Sequence, residues 1–330
     1  MKTSFILGSL FLFSHMGQAA INPKAKTFVP ERPSITVAII DTGADTNHLH
    51  LKSNLWVNTG EQGLDSTGQD KATNNKDDDG NGYADDLHGW NFVDNNNDLS
   101  DSMGHGTHIS GVVKNESGRS SSLLNTNSTS APTARLMILK YYNPSGTDAE
   151  NIENTVKAMN YAIKMKAQII NYSGGGSLPN VSELNALKLA EKANIMVVAA
   201  AGNNKTNTDL NSYYPANYGL KNIISVAAVE KSGELVAFSN YGAKTVDIAA
   251  PGRHIFSTLP DNKFGYMSGT SQSTAFVSGR LAVIMNRTKQ KNPEYLLNQL
   301  IEEAEFNKTL AGKTKFQVAL TSVRNANTNP

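Results

Sequence analysis

Ile35-Thr36-Val37-Ala38-Ile39-Ile40-Asp41-Thr42-Gly43 is the stretch on which the fold turns. Its apolar residues run almost unbroken into an acid, a threonine and a glycine. Such a run suits a strand buried on both faces, as a parallel sheet requires, rather than one with a wet face. Similar runs recur at residues 136–139, 167–170, 195–201, 223–229 and 246–249. Between them the period changes. Over residues 148–166, Ile152, Val156, Met159, Ala162 and Ile163 fall at helical spacing with Asp148 placed as N-cap, and residues 181–193 repeat the pattern. Strands alternating with helices imply right-handed βαβ units, and hence an α/β fold: a three-layer, doubly wound, mostly parallel sheet. Ligands of such sheets sit at the carboxyl ends of strands, which is where Asp41 falls.

The 330 residues are 39% hydrophobic and 18% charged, enough for one sizeable core, and one large domain is preferred over two small ones. A net charge of +1 with scattered Lys and Arg gives no field for a polyanion, so nucleic acid is not expected as a partner. Lys2, an apolar run from Phe5 to Phe13, and small residues at Gly17 and Ala19 have the order of a secretory signal, cleaved after Ala19. The apolar run is about half of the roughly 20 residues a membrane span needs, so no stable membrane anchor is expected. The mature chain is expected to be secreted, extracellular or periplasmic. With no cysteine in the chain, any staple must be something other than a disulfide, and a bound metal is the natural choice. Residues 115–133, rich in Ser, Asn and Thr, read as a solvated loop.

Three short motifs carry chemistry. Asp41-Thr42-Gly43 puts a carboxylate at a strand end, although alone it reads better as an acid capping a turn. Gly104-His105-Gly106-Thr107-His108 flanks a histidine with glycines that permit close backbone approach, and Ile109, Val112 and Val113 suggest a helix starting there. A histidine so placed serves as a general base near neutral pH. A zinc ion shared by His105 and His108 lacks the glutamate of the usual motif, and His108 reads better as a packed core side chain. Gly269-Thr270-Ser271 precedes Ala275, Val277, Leu281, Ala282 and Ile284, placing Ser271 at a helix N-terminus. There it is either a simple N-cap or a nucleophile whose developing charge the helix dipole favours.

The order Asp41, His105, Ser271 is one of the orders in which the Asp-His-Ser triad recurs, the one found in subtilisin. These three blocks resemble the signatures of the subtilisin-like serine protease family. So do Ile170-Asn171-Tyr172-Ser173-Gly174-Gly175-Gly176, similar to the family's substrate-lining strand end, and Ala199-Ala200-Ala201-Gly202-Asn203, similar to its oxyanion segment. The resemblance runs from about Ile35 to about Val318. It implies a serine endopeptidase acting through an acyl-enzyme on protein or peptide substrates, with a domain over residues 35–322. A signal at 1–19, a short extension at 20–34 and a tail at 323–330 complete the chain, and a monomer is expected. It also implies roles: Ser271 attacks, His105 moves the proton, Asp41 orients the imidazole and Asn203 donates to the oxyanion. Loss of that donor in subtilisin itself lowers turnover by about 10²–10³. Ser173, Gly174, Gly175 and Gly176 would pair with an extended substrate, or else form a tight turn.

Residues 77–86, Asp-Asp-Asp-Gly-Asn-Gly-Tyr-Ala-Asp-Asp, crowd five carboxylates that repel one another unless a hard cation neutralises them. Asp77, Asp79, Asn81 and Gly82 fit an EF-hand-like start, but its twelfth position holds His88 rather than Glu. Some subtilisin-like proteases carry a similar insertion that binds calcium structurally. By that likeness Asp77, Asp79, Asn81, the Tyr83 carbonyl and Asp86 are the expected ligands; otherwise the loop is simply solvated. The chain also departs from the family. Gln272 follows the serine in place of the usual Met, and His48-Leu49-His50-Leu51 replaces a frequent calcium-linked His-Pro-Asp-Leu. About fifteen residues precede Ile35 after the cleavage point, too few for a folded propeptide. The rival readings are a catalytically silent binding protein on the same fold and a calcium-binding structural protein.

Overall fold

The computed structural model describes residues 34–123 and 133–321, the side chains of residues 119–123 excepted. The expected signal and C-terminal tail, and all of the extension but Ser34, lie outside the described residues. In chain order the elements are β1 (Ile35–Asp41), β2 (Gly89–Asn91), α1 (His105–Leu123), β3 (Ala134–Lys140), α2 (Asp148–Lys164), β4 (Ile169–Tyr172) and α3 (Val181–Lys192). There follow β5 (Met196–Ala200), β6 (Ile223–Val229), β7 (Ile248–Pro251), β8 (Ile255–Leu259), β9 (Lys263–Met267), α4 (Thr270–Thr288), α5 (Pro293–Glu303), β10 (Glu305–Phe306) and β11 (Val318–Ala319).

Nine strands form one sheet in the order β10-β11-β7-β6-β5-β4-β1-β3-β2. All neighbours are parallel except β10 and β11. The apolar β1 run is explained by its two buried faces. Val37 and Ile39 pack with Ile109 and Val113 of α1 and with Ala275, Val277 and Leu281 of α4. Ala38 and Ile40 pack on the opposite face with Met159 and Ala162 of α2 and Leu187 of α3. Helices on both faces of a mostly parallel sheet are the expected three-layer α/β fold.

The described helices differ from expectation at two places. The N-cap of α2 is Thr147 rather than Asp148, because Thr147 and Glu150 form a reciprocal capping box. The loop expected from residue 115 is instead helix through Leu123, with residues 124–132 outside the described set. Its polar residues mislead because Glu116 and Ser117 are buried against α4. Gly279 permits that approach: a Cβ there would lie 2.6 Å from Glu116 Cβ and 2.7 Å from the Val113 carbonyl oxygen. Ser, Thr and Gln residues are likewise buried in α4, where Ser273 donates to the Ala250 carbonyl, Thr274 to the Thr270 carbonyl and Ser278 to Asn171 Oδ1. No described helix is long and apolar enough to cross a membrane.

Candidate active site and acidic loop

The carboxyl end of β1 delivers Asp41, and the chain turns at Gly43, whose φ of 111° suits glycine. His105 opens α1, and its Nδ1 donates to Asp41 Oδ1 at 2.7 Å. The contact depends on Gly106, where a Cβ would stand 2.1 Å from the Gly43 carbonyl oxygen and 3.2 Å from Asp41 Oδ1. Attraction to Asp41 outweighs burial and holds the His105 pKa above its usual 6.5, with a smaller contribution from Asp101.

Sequence reasoning missed Asp101, which binds these two pieces together. Its Oδ1 accepts from Thr42 Oγ1 at 2.8 Å, Met103 N at 3.2 Å and Gly104 N at 2.9 Å. Its Oδ2 accepts from the N–H and hydroxyl of Thr107 at 2.8 and 2.7 Å. Thr42 Oγ1 in turn accepts from Gly106 N. The one readable signal was an acid four residues before His105, and its partners emerge only in the fold. His108 is buried with Nε2 on the Ile255 carbonyl, so His105 and His108 do not form a pair.

Ser271 lies one residue inside α4, and its Oγ donates to the Ser173 carbonyl at 3.0 Å rather than to His105. Asn171, fully buried, donates from Nδ2 to Ser173 Oγ, which donates to the Ser271 carbonyl. Asn203 Oδ1 accepts from both the N–H and the hydroxyl of Thr270, at 2.9 and 3.0 Å. The backbone donor fixes the amide orientation, leaving Nδ2 free to donate. Asn240 braces the segment on either side, donating to the Ala201 carbonyl and accepting from Asn204 N and Thr206 N. Gly176 is not bare as expected, because its N–H and carbonyl pair with Tyr214 at 2.9 and 2.7 Å. No described residue hydrogen-bonds the backbone of Gly174 or Gly175.

The acidic loop assembles differently from expectation. Oxygens of Glu61, Asp77 and Asp79 lie within 4.8 Å of one another. Glu61 is fully buried and its Oε2 has no hydrogen-bond partner. Burial, then the charges of Asp86, Asp78 and Asp79, outweigh a backbone hydrogen bond and raise its pKa. Asp86 is not in this trio. Its oxygens accept from Asn58, Asn81 and Tyr161, and Asn81 turns its own Oδ1 to Tyr83 N. The Tyr83 ring stacks edge-on against Trp90 and Tyr161. Glu61 lay too far upstream to be linked with the loop by spacing. At the altered His48-Leu49-His50-Leu51 site, His50 faces the Lys114 ammonium at 3.1 Å and not a carboxylate.

The layered sheet, with Asp41, His105, Asn203 and Ser271 gathered at its carboxyl ends, defines a subtilisin-like α/β protein. The chain belongs to the subtilase family, which it matches over residues 32–322. Subtilisin-like protease 2 of Plasmodium falciparum (isolate 3D7) is 32% identical over 256 residues, 76% of this chain. This chain spans only 17% of that protein's length. The major intracellular serine protease of Bacillus subtilis (strain 168) is 32% identical over 296 residues, covering 84% of this chain and 79% of its own. A crystal structure of a cold-adapted subtilisin-like serine proteinase shares the fold, with a TM-score of 0.66 at 23% identity over 88% of this chain and 89% of the other.

Proposed function

We propose that this chain is a serine endopeptidase cleaving protein and peptide substrates through an Asp41-His105-Ser271 triad. The 2.7 Å bond from His105 to Asp41, with the amide of Asn203 oriented beside Ser271, carries this reading. Ser271 Oγ leaves the Ser173 carbonyl and attacks the scissile carbon while His105 Nε2 takes its proton. The C–O bond forms and charge develops on the substrate oxygen, which accepts from Asn203 Nδ2 and Ser271 N. Collapse breaks the C–N bond as His105 returns the proton to the leaving amine, and water then hydrolyses the acyl-serine by the same relay. Asp41 stays ionised and holds the imidazole tautomer. The open backbone of Gly174 and Gly175 pairs with the extended substrate.

Calcium at the acidic loop is part of the proposal. A buried, unpartnered Glu61 oxygen beside two carboxylates fits a hard cation, with Glu61, Asp77 and Asp79 holding it. Export is supported by the charged, apolar and small-residue order of the first nineteen residues. A relative described as intracellular makes localisation a separate measurement. The deciding experiment labels the purified chain and Ser271→Ala with a fluorophosphonate probe. Label on the native chain alone is expected. An unlabelled native chain would leave the silent binding protein in its place.

A further inference from the structure

This inference rests on the serine-peptidase reading and concerns what that site accepts. Past their ends, β4 and β5 continue into two glycine-bearing segments, residues 173–176 and 201–203. Ser271 Oγ touches the first at Ser173, and Asn203 ends the second. A residue attacked by Ser271 with its carbonyl oxygen at Asn203 therefore straddles the gap between them. A side chain turned from there toward the sheet would enter that gap. The chain fills this space itself. A Cβ on Gly175 would lie 2.6 and 3.0 Å from Cε1 and Cζ of Tyr213. One on Gly202 would lie 3.1 Å from both Cε1 and Cε2 of the same ring. A single aromatic ring thus presses on both walls, at glycines whose missing side chains make room for it.

We infer that Tyr213 is a specificity-determining residue, plugging the gap so that only peptides with a small residue before the cut, glycine, alanine or serine, are accepted. A large side chain entering there must displace the ring or sit above it, which draws the scissile carbon away from Ser271. The Tyr213 hydroxyl has no hydrogen-bond partner among the described residues, so the ring's bulk, not its polar end, sets the preference.

The test compares two chromogenic peptides, identical but for alanine or phenylalanine before the cleaved bond, on native enzyme, Tyr213→Gly and Tyr213→Phe. Native enzyme should favour alanine by about tenfold or more in kcat/KM, in the range by which pocket contacts discriminate. Tyr213→Gly should reverse the order, chiefly through a lower KM for the phenylalanine peptide. Tyr213→Phe should keep the native order. Native enzyme taking phenylalanine as readily as alanine overturns the inference, and that ratio decides even if Tyr213→Gly fails to fold. A folded Tyr213→Gly that slows both peptides equally reduces Tyr213 to packing and overturns it too. If no form cleaves either peptide, the peptidase reading fails and the inference falls with it.

Discussion

Five donors converge on the carboxylate of Asp101: the Thr42 hydroxyl, the N–H groups of Met103 and Gly104, and both donors of Thr107. It never touches the reacting atoms, so it acts as a positioning residue, tying the Asp41 turn to the start of α1. Its charge also helps hold the His105 pKa up. Catalysis needs neutral imidazole, so activity should fall as pH drops through a His105 pKa above 6.5. Asp101→Asn removes a charge that favours the imidazolium and should move this acidic limb to lower pH, with a loss of about tenfold or more in kcat. A kcat/KM profile against pH measures both. A limb that stays in place would mean that Asp101 only braces the backbone. At this scale the sequence marked the residues proposed to react but not what holds them. Asp41, His105, Ser271 and Asn203 sit in short glycine-marked motifs, whereas Asp101, Asn171 and Asn240 gain their partners only across the fold.

Between elements, the decisive contact is the N-terminus of α1 against the end of β1. Gly106→Ala would place its Cβ 2.1 Å from the Gly43 carbonyl oxygen, a backbone atom that cannot swing aside. Either α1 or the Asp41 turn must shift. The substitution should cost about 1–3 kcal/mol of stability and, by misplacing His105, about 10²-fold in kcat. Urea melts and steady-state kinetics read the two effects; activity near native would show that the helix is not held there. Elements with two buried faces were legible because nothing but an apolar run survives that burial, as at β6, which matches its expected bounds. The β8–β9 hairpin was missed because it lies off the main sheet with Phe256, Phe264 and Tyr266 exposed. β10 and β11 have two residues each, too few for any period.

For the whole molecule, which has no disulfide, calcium should bind the folded state selectively. At a hundredfold excess over the dissociation constant it adds about 2.7 kcal/mol, roughly 4–5 °C in melting temperature for a domain of this size. Ser271→Ala protein, which cannot digest itself, should show this rise, and chelator should remove it. Adding Glu61→Gln should shrink the rise by removing a buried charge from the trio; an unchanged response would place the ion elsewhere. The fold has one further effect. Asp41 comes early in the chain and Ser271 late, and the contacts that join the site bridge 64, 67 and 98 residues of sequence. At ribosomal rates of about 5–20 residues per second, Ser271 is made roughly ten to fifty seconds after Asp41. On the proposed triad, the nascent polypeptide would carry no cutting centre throughout that interval, so the order of synthesis itself would protect the translating ribosome and the unfinished chain.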